Sequence, residues 1–367
     1  MELISWATLL FFLAAIPAYW ALPKRWRAGF FCVAGFTYYF ISSPQSGVLT
    51  LIFLWVILLF QRMILAAETD RGRKRLLIVA AVICAGPMVF YKYRFSIFGG
   101  LPGFGWAVDL PLTVPVGISY FTFRALHFLI ETRRGHIGRT SAIDFFYYIT
   151  FIPTVVAGPI ERFEPFQTQQ KAQPDFDPDM FGEGLRRIAI GVVKKLVLAD
   201  MFFGFITSFL KPGTNLTLGT AQIWICLHCY YAYLYMDFSG YSDIAIGVSR
   251  LFGFRIMENF NWPIFAHNIR EFWRRWHISL TGWLTEYLYF SLGGSRKGEI
   301  RANINTMITM MVIALWHGSL LLQHYFIWGL YLGLGLVVFR QWLRVKNASS
   351  RSSAIHRRVG DAWSASS

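Results

Sequence analysis

Charge is scarce in this chain. Of 367 residues only 15% are charged and 55% are hydrophobic, with a mean hydropathy of +0.43. A soluble domain carries roughly a quarter charged residues, so the composition argues against a water-soluble globule. Acids are the scarcer sign, 20 against 35 Lys and Arg. Cysteine is nearly absent. Cys32, Cys84, Cys226 and Cys229 all lie in apolar blocks and make no secreted disulfide framework. Residues 226–229 read CLHC, but no second cysteine pair exists, and packing is favoured over zinc or redox chemistry. His127, His136, His267, His324 and His356 show no metal-ligand spacing. A G-x-S-x-G elbow and a phosphate-cradling loop are missing, which leaves a serine hydrolase and an ATP-driven pump unsupported.

What is abundant is uninterrupted apolar sequence. Residues 3–22 and 48–60 hold no charge, and the first is long enough to cross roughly 30 Å of hydrocarbon. It has neither the basic start nor the small-residue end of a signal peptide, so it reads as a retained span. Candidate spans fall near 3–22, 28–42, 47–66, 76–93, 112–130, 142–159, 186–209, 219–237, 302–318 and 322–343, with a short one near 281–292. The fold class expected is all-α: a polytopic membrane protein with about ten or eleven spans plus short re-entrant or interfacial helices. Aromatics at 18% suit many water–lipid boundaries.

The excess of +15 sits in short loops, which indicates topology rather than nucleic-acid binding. Lys24, Arg25 and Arg27 mark the first loop, Arg71, Arg73, Lys74 and Arg75 the third, Arg133, Arg134 and Arg139 the fifth. The second loop, 43–46, is uncharged, and the fourth, near 94–111, sets Arg94 against Asp109. The alternation puts the odd loops in the cytoplasm and the N-terminus outside. Residues 1–345 form one membrane domain in this reading. Residues 346–367 form a basic cytoplasmic tail, expected to be irregular. Residues 160–184 form a polar loop after a Gly158–Pro159 break, and 238–300 mix charge, glycine and apolar stretches. Irregular backbone at membrane depth needs protein or water around it, so a cavity is expected in that region.

Few residues in the chain can do chemistry. His317 ends the apolar run MVIALWHG. A polar ring in hydrocarbon needs a partner, and a neutral imidazole can also act as a base near neutral pH, so both roles stand. His277 lies in EFWRRWHISL, where Trp273, Trp276 and Leu280 would share one face of an interfacial helix and Glu271, Arg274 and Arg275 supply charge. Asp237 and Asp243, at the end of a span, either pair with basic residues or bind substrate, and pairing is favoured.

Six segments occur in one order: PVGISYFTF at 115–123, VVAGPIERF at 155–163, DFSGYSDIAIG at 237–247, ENFNWPIFAHNIREFWRRWHISLTGWL at 258–284, EYLYFSLGG at 286–294 and LWHG at 315–318. Together they resemble the membrane-bound O-acyltransferase (MBOAT) family, in the bacterial branch of the alginate O-acetylation protein. The resemblance implies a ring of tilted helices around a thinned centre, with a tunnel between the membrane faces of a bacterial cytoplasmic membrane. It implies His317 and His277 as the catalytic positions. Asp237, Asp243, Trp273, Arg274, Arg275, Trp316 and Glu286 are the expected substrate contacts. No bound cofactor or metal is implied. The co-substrate is an acyl thioester, either acyl-CoA or acyl carrier protein, and an extracytoplasmic SGNH-type protein and membrane lipids are the expected partners. Two departures stand out. Thr285–Glu286 replaces the Arg-Asp pair usual in that branch, and the chain is shorter than most members, so a partner surface is expected to differ or be absent. A polytopic transporter or flippase using the same histidines and acids, and a non-catalytic scaffold, are the competing readings.

Overall fold

The computed structural model describes residues 6–98, 115, 117–209, 219–318 and 324–364. Asp109 and most of the fourth loop lie outside the described residues. Among the described residues there is no strand; the protein is all-helical. Among the described residues three helices are long and apolar enough to cross a membrane, Pro44–Ala66, Asp70–Arg94 and His324–Asn347, and Trp6–Ala21 is a shorter apolar one. The other expected spans are helical but broken or charge-bearing. The helices gather into two compact units, Met1–Phe260 and Asn261–Ser367.

The first unit opens with α1 (Trp6–Ala21), α2 (Lys24–Ser42), α3 (Pro44–Ala66) and α4 (Asp70–Phe98). Ser43 caps α3 by accepting the Ser46 N–H, and Pro44 starts the helix where its missing donor costs nothing. α5 (Ile118–Arg134) follows Gly117, whose φ is 71°. A Cβ there would sit 2.1 Å from the Val155 carbonyl oxygen, so only glycine fits. The span expected at 142–159 is broken into α6 (Ala142–Thr150) and α7 (Ile152–Val155), and the chain turns at Gly158–Pro159 before α8 (Phe163–Ala172). The expected break is therefore present. Proline lacks the N–H that a continuing helix requires.

That turn needs hydrogen-bond partners, and Arg124 supplies them. Its buried guanidinium donates to the carbonyls of Tyr148, Thr154 and Pro159, each at 3.2 Å. Buried Glu161 accepts the Met257 N–H. Aromatic rings fill the core alongside. Phe31 stacks on Tyr147 at 4.6 Å, and Phe166 on Phe254 at 5.3 Å.

α9 (Pro178–Val192) runs through a π turn (Val193–Ala199) into α10 (Asp200–Phe209), in place of the span expected at 186–209. α11 (Thr220–Leu251) has 32 residues and outruns the expected 219–237. It stays helical through DFSGYSDIAIG because α9 packs on it backbone to backbone. A Cβ on Gly191 would lie 2.6 Å from the Gly240 carbonyl, and one on Gly247 2.7 Å from that of Gly184. The irregular stretch expected from 238 thus begins only at Phe252.

The second unit contains a 3₁₀ turn (Pro263–Phe265), α12 (Ile269–Arg275), α13 (Ile278–Leu284), a π turn (Thr285–Tyr289), α14 (Glu299–His317) and α15 (His324–Ser364). α15 carries helical backbone through the tail that was expected to be irregular. That stretch holds no proline, and its alanines and arginines favour helix. α14 and α15 pack closely, Gly329 lying against Ala314 and the Met310 carbonyl.

Candidate active site

The segment expected to be one interfacial helix is two. Asn268 caps α12 by accepting the Glu271 N–H at 2.9 Å, and the helix stops at Trp276 in an extended conformation. His277 then takes a left-handed backbone, φ 44° and ψ 53°, and caps α13, its carbonyl accepting the Thr281 N–H. A non-glycine residue there costs about 1–2 kcal/mol, so the surroundings must hold it. The side chain is buried at 4% exposure. Burial first, and then nearby His317, push its imidazole down to about 3, so it is neutral at physiological pH.

His317 is the last residue of α14, where Gly318 closes the helix at φ 105°. The imidazole stacks on Tyr325 with ring centres 5.1 Å apart and planes 17° apart. It meets Trp328 edge-on at 5.8 Å. Both rings come from the first turns of α15. Trp328 in turn meets Trp273 of α12 at 5.9 Å. Trp316 faces His277 at 6.3 Å and its neighbour His317 at 4.6 Å. The two histidines thus share an aromatic surround built from α12, α14 and α15. One is buried and neutral. The other is exposed from the protein and reachable.

Beside this group lies a cavity of about 900 Å³, walled by α12, α13, α14, α15 and the π turn. Trp273, Arg274 and Glu286 line it, as do Arg270 and Arg340. Three expected contacts are thereby brought together. Arg275 is not among the lining residues; its guanidinium is held by Glu271 at 2.7 and 3.0 Å. Asp237 and Asp243 belong to the first unit, where both are consumed in ion pairs. Asp243 is buried and accepts from Arg187 at 2.6 Å and Lys194 at 2.7 Å, and Asp237 pairs with Lys195. A buried carboxylate with two cations on it is held by them, which is the pairing favoured from the sequence. Asp237, Asp243 and Arg275 are each held in ion pairs, and Trp316 stands in the aromatic wall beside the two histidines.

Some residues escaped the sequence. Tyr325 and Trp328 gave no signal in a chain so rich in aromatics. Arg340 has one, as a lone charge in the apolar run LGLGLVVFRQW. Glu131, His136 and Glu164 each place a ligand atom within 4.8 Å of the others, a metal-like spacing not visible along the chain. Arg134 donates to Glu131 at 2.8 Å, and His127 lies 3.1 Å from Glu164. Cys226 and Cys229 are free thiols on α11, and the Nδ1 of His228 contacts the Trp224 carbonyl.

Comparison with known proteins places the chain in a family. The family described as MBOAT, membrane-bound O-acyltransferase family, matches residues 48–359. The probable alginate O-acetylase AlgI of Pseudomonas aeruginosa is 38% identical over 282 residues, 75% of this chain and 53% of that protein. The teichoic acid D-alanyltransferase of Streptococcus thermophilus is 32% identical over 250 residues, 64% of this chain and 59% of that protein. The peptidoglycan O-acetyltransferase of Helicobacter pylori is 32% identical over 260 residues, 64% of this chain and 49% of that protein. The chain spans about half the length of the curated relatives it matches.

Proposed function

The chain belongs to the membrane-bound O-acyltransferase family, and from that premise we propose that it transfers an acyl group, acetyl in the first instance, from a thioester to a hydroxyl. The donor is acyl-CoA or an acyl carrier protein arriving from the cytoplasm. The acceptor is a hydroxyl of an exported polysaccharide or similar envelope compound, reached directly or through an extracytoplasmic SGNH-type protein. The names of the relatives, an alginate O-acetylase, a teichoic acid D-alanyltransferase and a peptidoglycan O-acetyltransferase, support this acceptor class. The protein lies in the bacterial cytoplasmic membrane with its N-terminus outside and its C-terminus in the cytoplasm.

One observation carries the reading: a buried neutral imidazole and an accessible one both meet the Trp316 ring. A thioester carbonyl is reactive, but an alcohol is a poor nucleophile. His317 removes the hydroxyl proton as the oxygen attacks the carbonyl carbon. His277, neutral, offers an N–H to the oxyanion that develops. Collapse expels the thiolate, and the proton on His317 passes to it. The products are ester and thiol, and no covalent enzyme intermediate is needed.

The test is consumption of the thioester. The purified protein in vesicles, given acetyl-CoA and a hydroxyl acceptor, is expected to release free thiol in step with ester formation. Proton-coupled solute flux without thiol release would favour the transporter reading instead.

A further inference from the structure

We propose that the cavity of the second unit is a binding site for the headgroup of an anionic phospholipid. Its polar lining is strongly unbalanced. Arg270 and Arg274 enter from α12 and Arg340 from α15, against the single carboxylate of Glu286. Among the described residues, none of these three arginines makes an ion pair, whereas Arg275 pairs with Glu271 and Arg344 with Glu299.

Arg340 is the most demanding of the three. It lies within the candidate span His324–Asn347, where a guanidinium calls for a counter-ion. Its hydrogen bonds go to neutral groups: Asn303 Oδ1 and Thr306 Oγ1 at 3.1 Å each, and the Tyr289 hydroxyl at 3.4 Å. These aim the fork and leave its charge uncompensated. A phosphate diester is the matching ligand, since guanidinium takes it through paired N–H groups.

The rest of the wall is apolar, including Met310 and Ile313 of α14 and Leu336, Phe339 and Leu343 of α15. A free phosphate would gain nothing from these side chains. Acyl chains attached to the phosphate would cover them. The span itself offers a largely bare face for those chains, since only 11% of its apolar 18-residue window is buried in protein. Basic pockets between membrane helices take anionic headgroups on these same terms.

The experiment uses the purified chain in nanodiscs and native mass spectrometry of the lipid it retains. Phosphatidylglycerol should be retained over phosphatidylcholine. The double variant Arg274→Gln, Arg340→Gln should lose about tenfold in that preference, two charges being removed from the contact. Arg344→Gln, which alters an arginine already paired with a carboxylate, should keep it. Equal retention of the two lipids by the unaltered protein would overturn the proposal whether or not the variants fold. So would equal loss in Arg344→Gln, which would mean general attraction to a basic surface. Displacement of phosphatidylglycerol by coenzyme A would assign the cavity to the thioester donor and overturn it as well.

Discussion

At His277 the backbone and the side chain are constrained together. Its left-handed φ re-aims the chain between α12 and α13 while the ring is buried beside Trp316. The imidazole is held neutral to about pH 3, against 6.5 in an unfolded chain. Above pH 6.5 both states are neutral and stability is complete. Below it the unfolded chain takes up a proton that the folded chain refuses, so stability falls as the pH drops from 6.5 toward about 3. Melting temperatures of the wild type should therefore drop further between pH 7 and 5 than those of His277→Gln; equal drops would place the acid sensitivity elsewhere. Trp328 positions its neighbour differently, by holding an edge against the His317 ring. Trp328→Ala should lower kcat about 10- to 100-fold with little change in KM for the thioester, and Trp328→Phe should recover part of it. A rise in KM alone would assign Trp328 to substrate binding. His317 was legible because it ends an apolar run, whereas His277 lies among charged and aromatic residues and was picked out by the resemblance. The partners of Asp237 and Asp243 were not, since Lys195, Lys194 and Arg187 lie 42 to 56 residues away.

Among the elements, the α9–α11 pair shows what the sequence hides. DFSGYSDIAIG reads as irregular because it mixes glycine and acids, yet it is helix. The glycines admit a close backbone approach, and the acids meet cations on α9 and the following π turn. Packing thus overrides propensity. Gly191→Ala would force a methyl to 2.6 Å from the Gly240 carbonyl. It should destabilise by about 1–3 kcal/mol, read as a lowered melting temperature in detergent. Gly204→Ala on α10 meets open space and should leave stability unchanged or slightly raised. Equal effects of the two would refute the close-packing account. The opposite error occurred at 271–280, where a helical stripe of aromatics predicted one helix and the structure has two. Periodicity cannot report a single residue with positive φ. The Gly158–Pro159 break was legible because its cause is local.

On the scale of the whole molecule, all-helical membrane architecture followed from composition alone, while the crossing count did not. Among the described residues three helices are long and apolar enough to cross, and others carry buried charge, such as Arg124 on α5 and Asp243 on α11, which a hydropathy window penalises. Orientation rests on the basic loops. In a cysteine-free background, a cysteine at exposed Gln45 should label from outside, and one at exposed Arg71 only after permeabilisation. The reverse pattern would invert the sidedness of donor entry. Everything proposed for function converges on His317, an accessible imidazole stacked on Tyr325 at the end of α14. The decisive measurement is acyl-thioester turnover by His317→Gln beside the wild type, with melting temperatures taken on the same samples. Glutamine keeps much of the size and hydrogen bonding but cannot take a proton near neutral pH. The account expects equal melting temperatures and a loss of turnover of about 10²- to 10⁴-fold. Full turnover by a folded His317→Gln protein would contradict it.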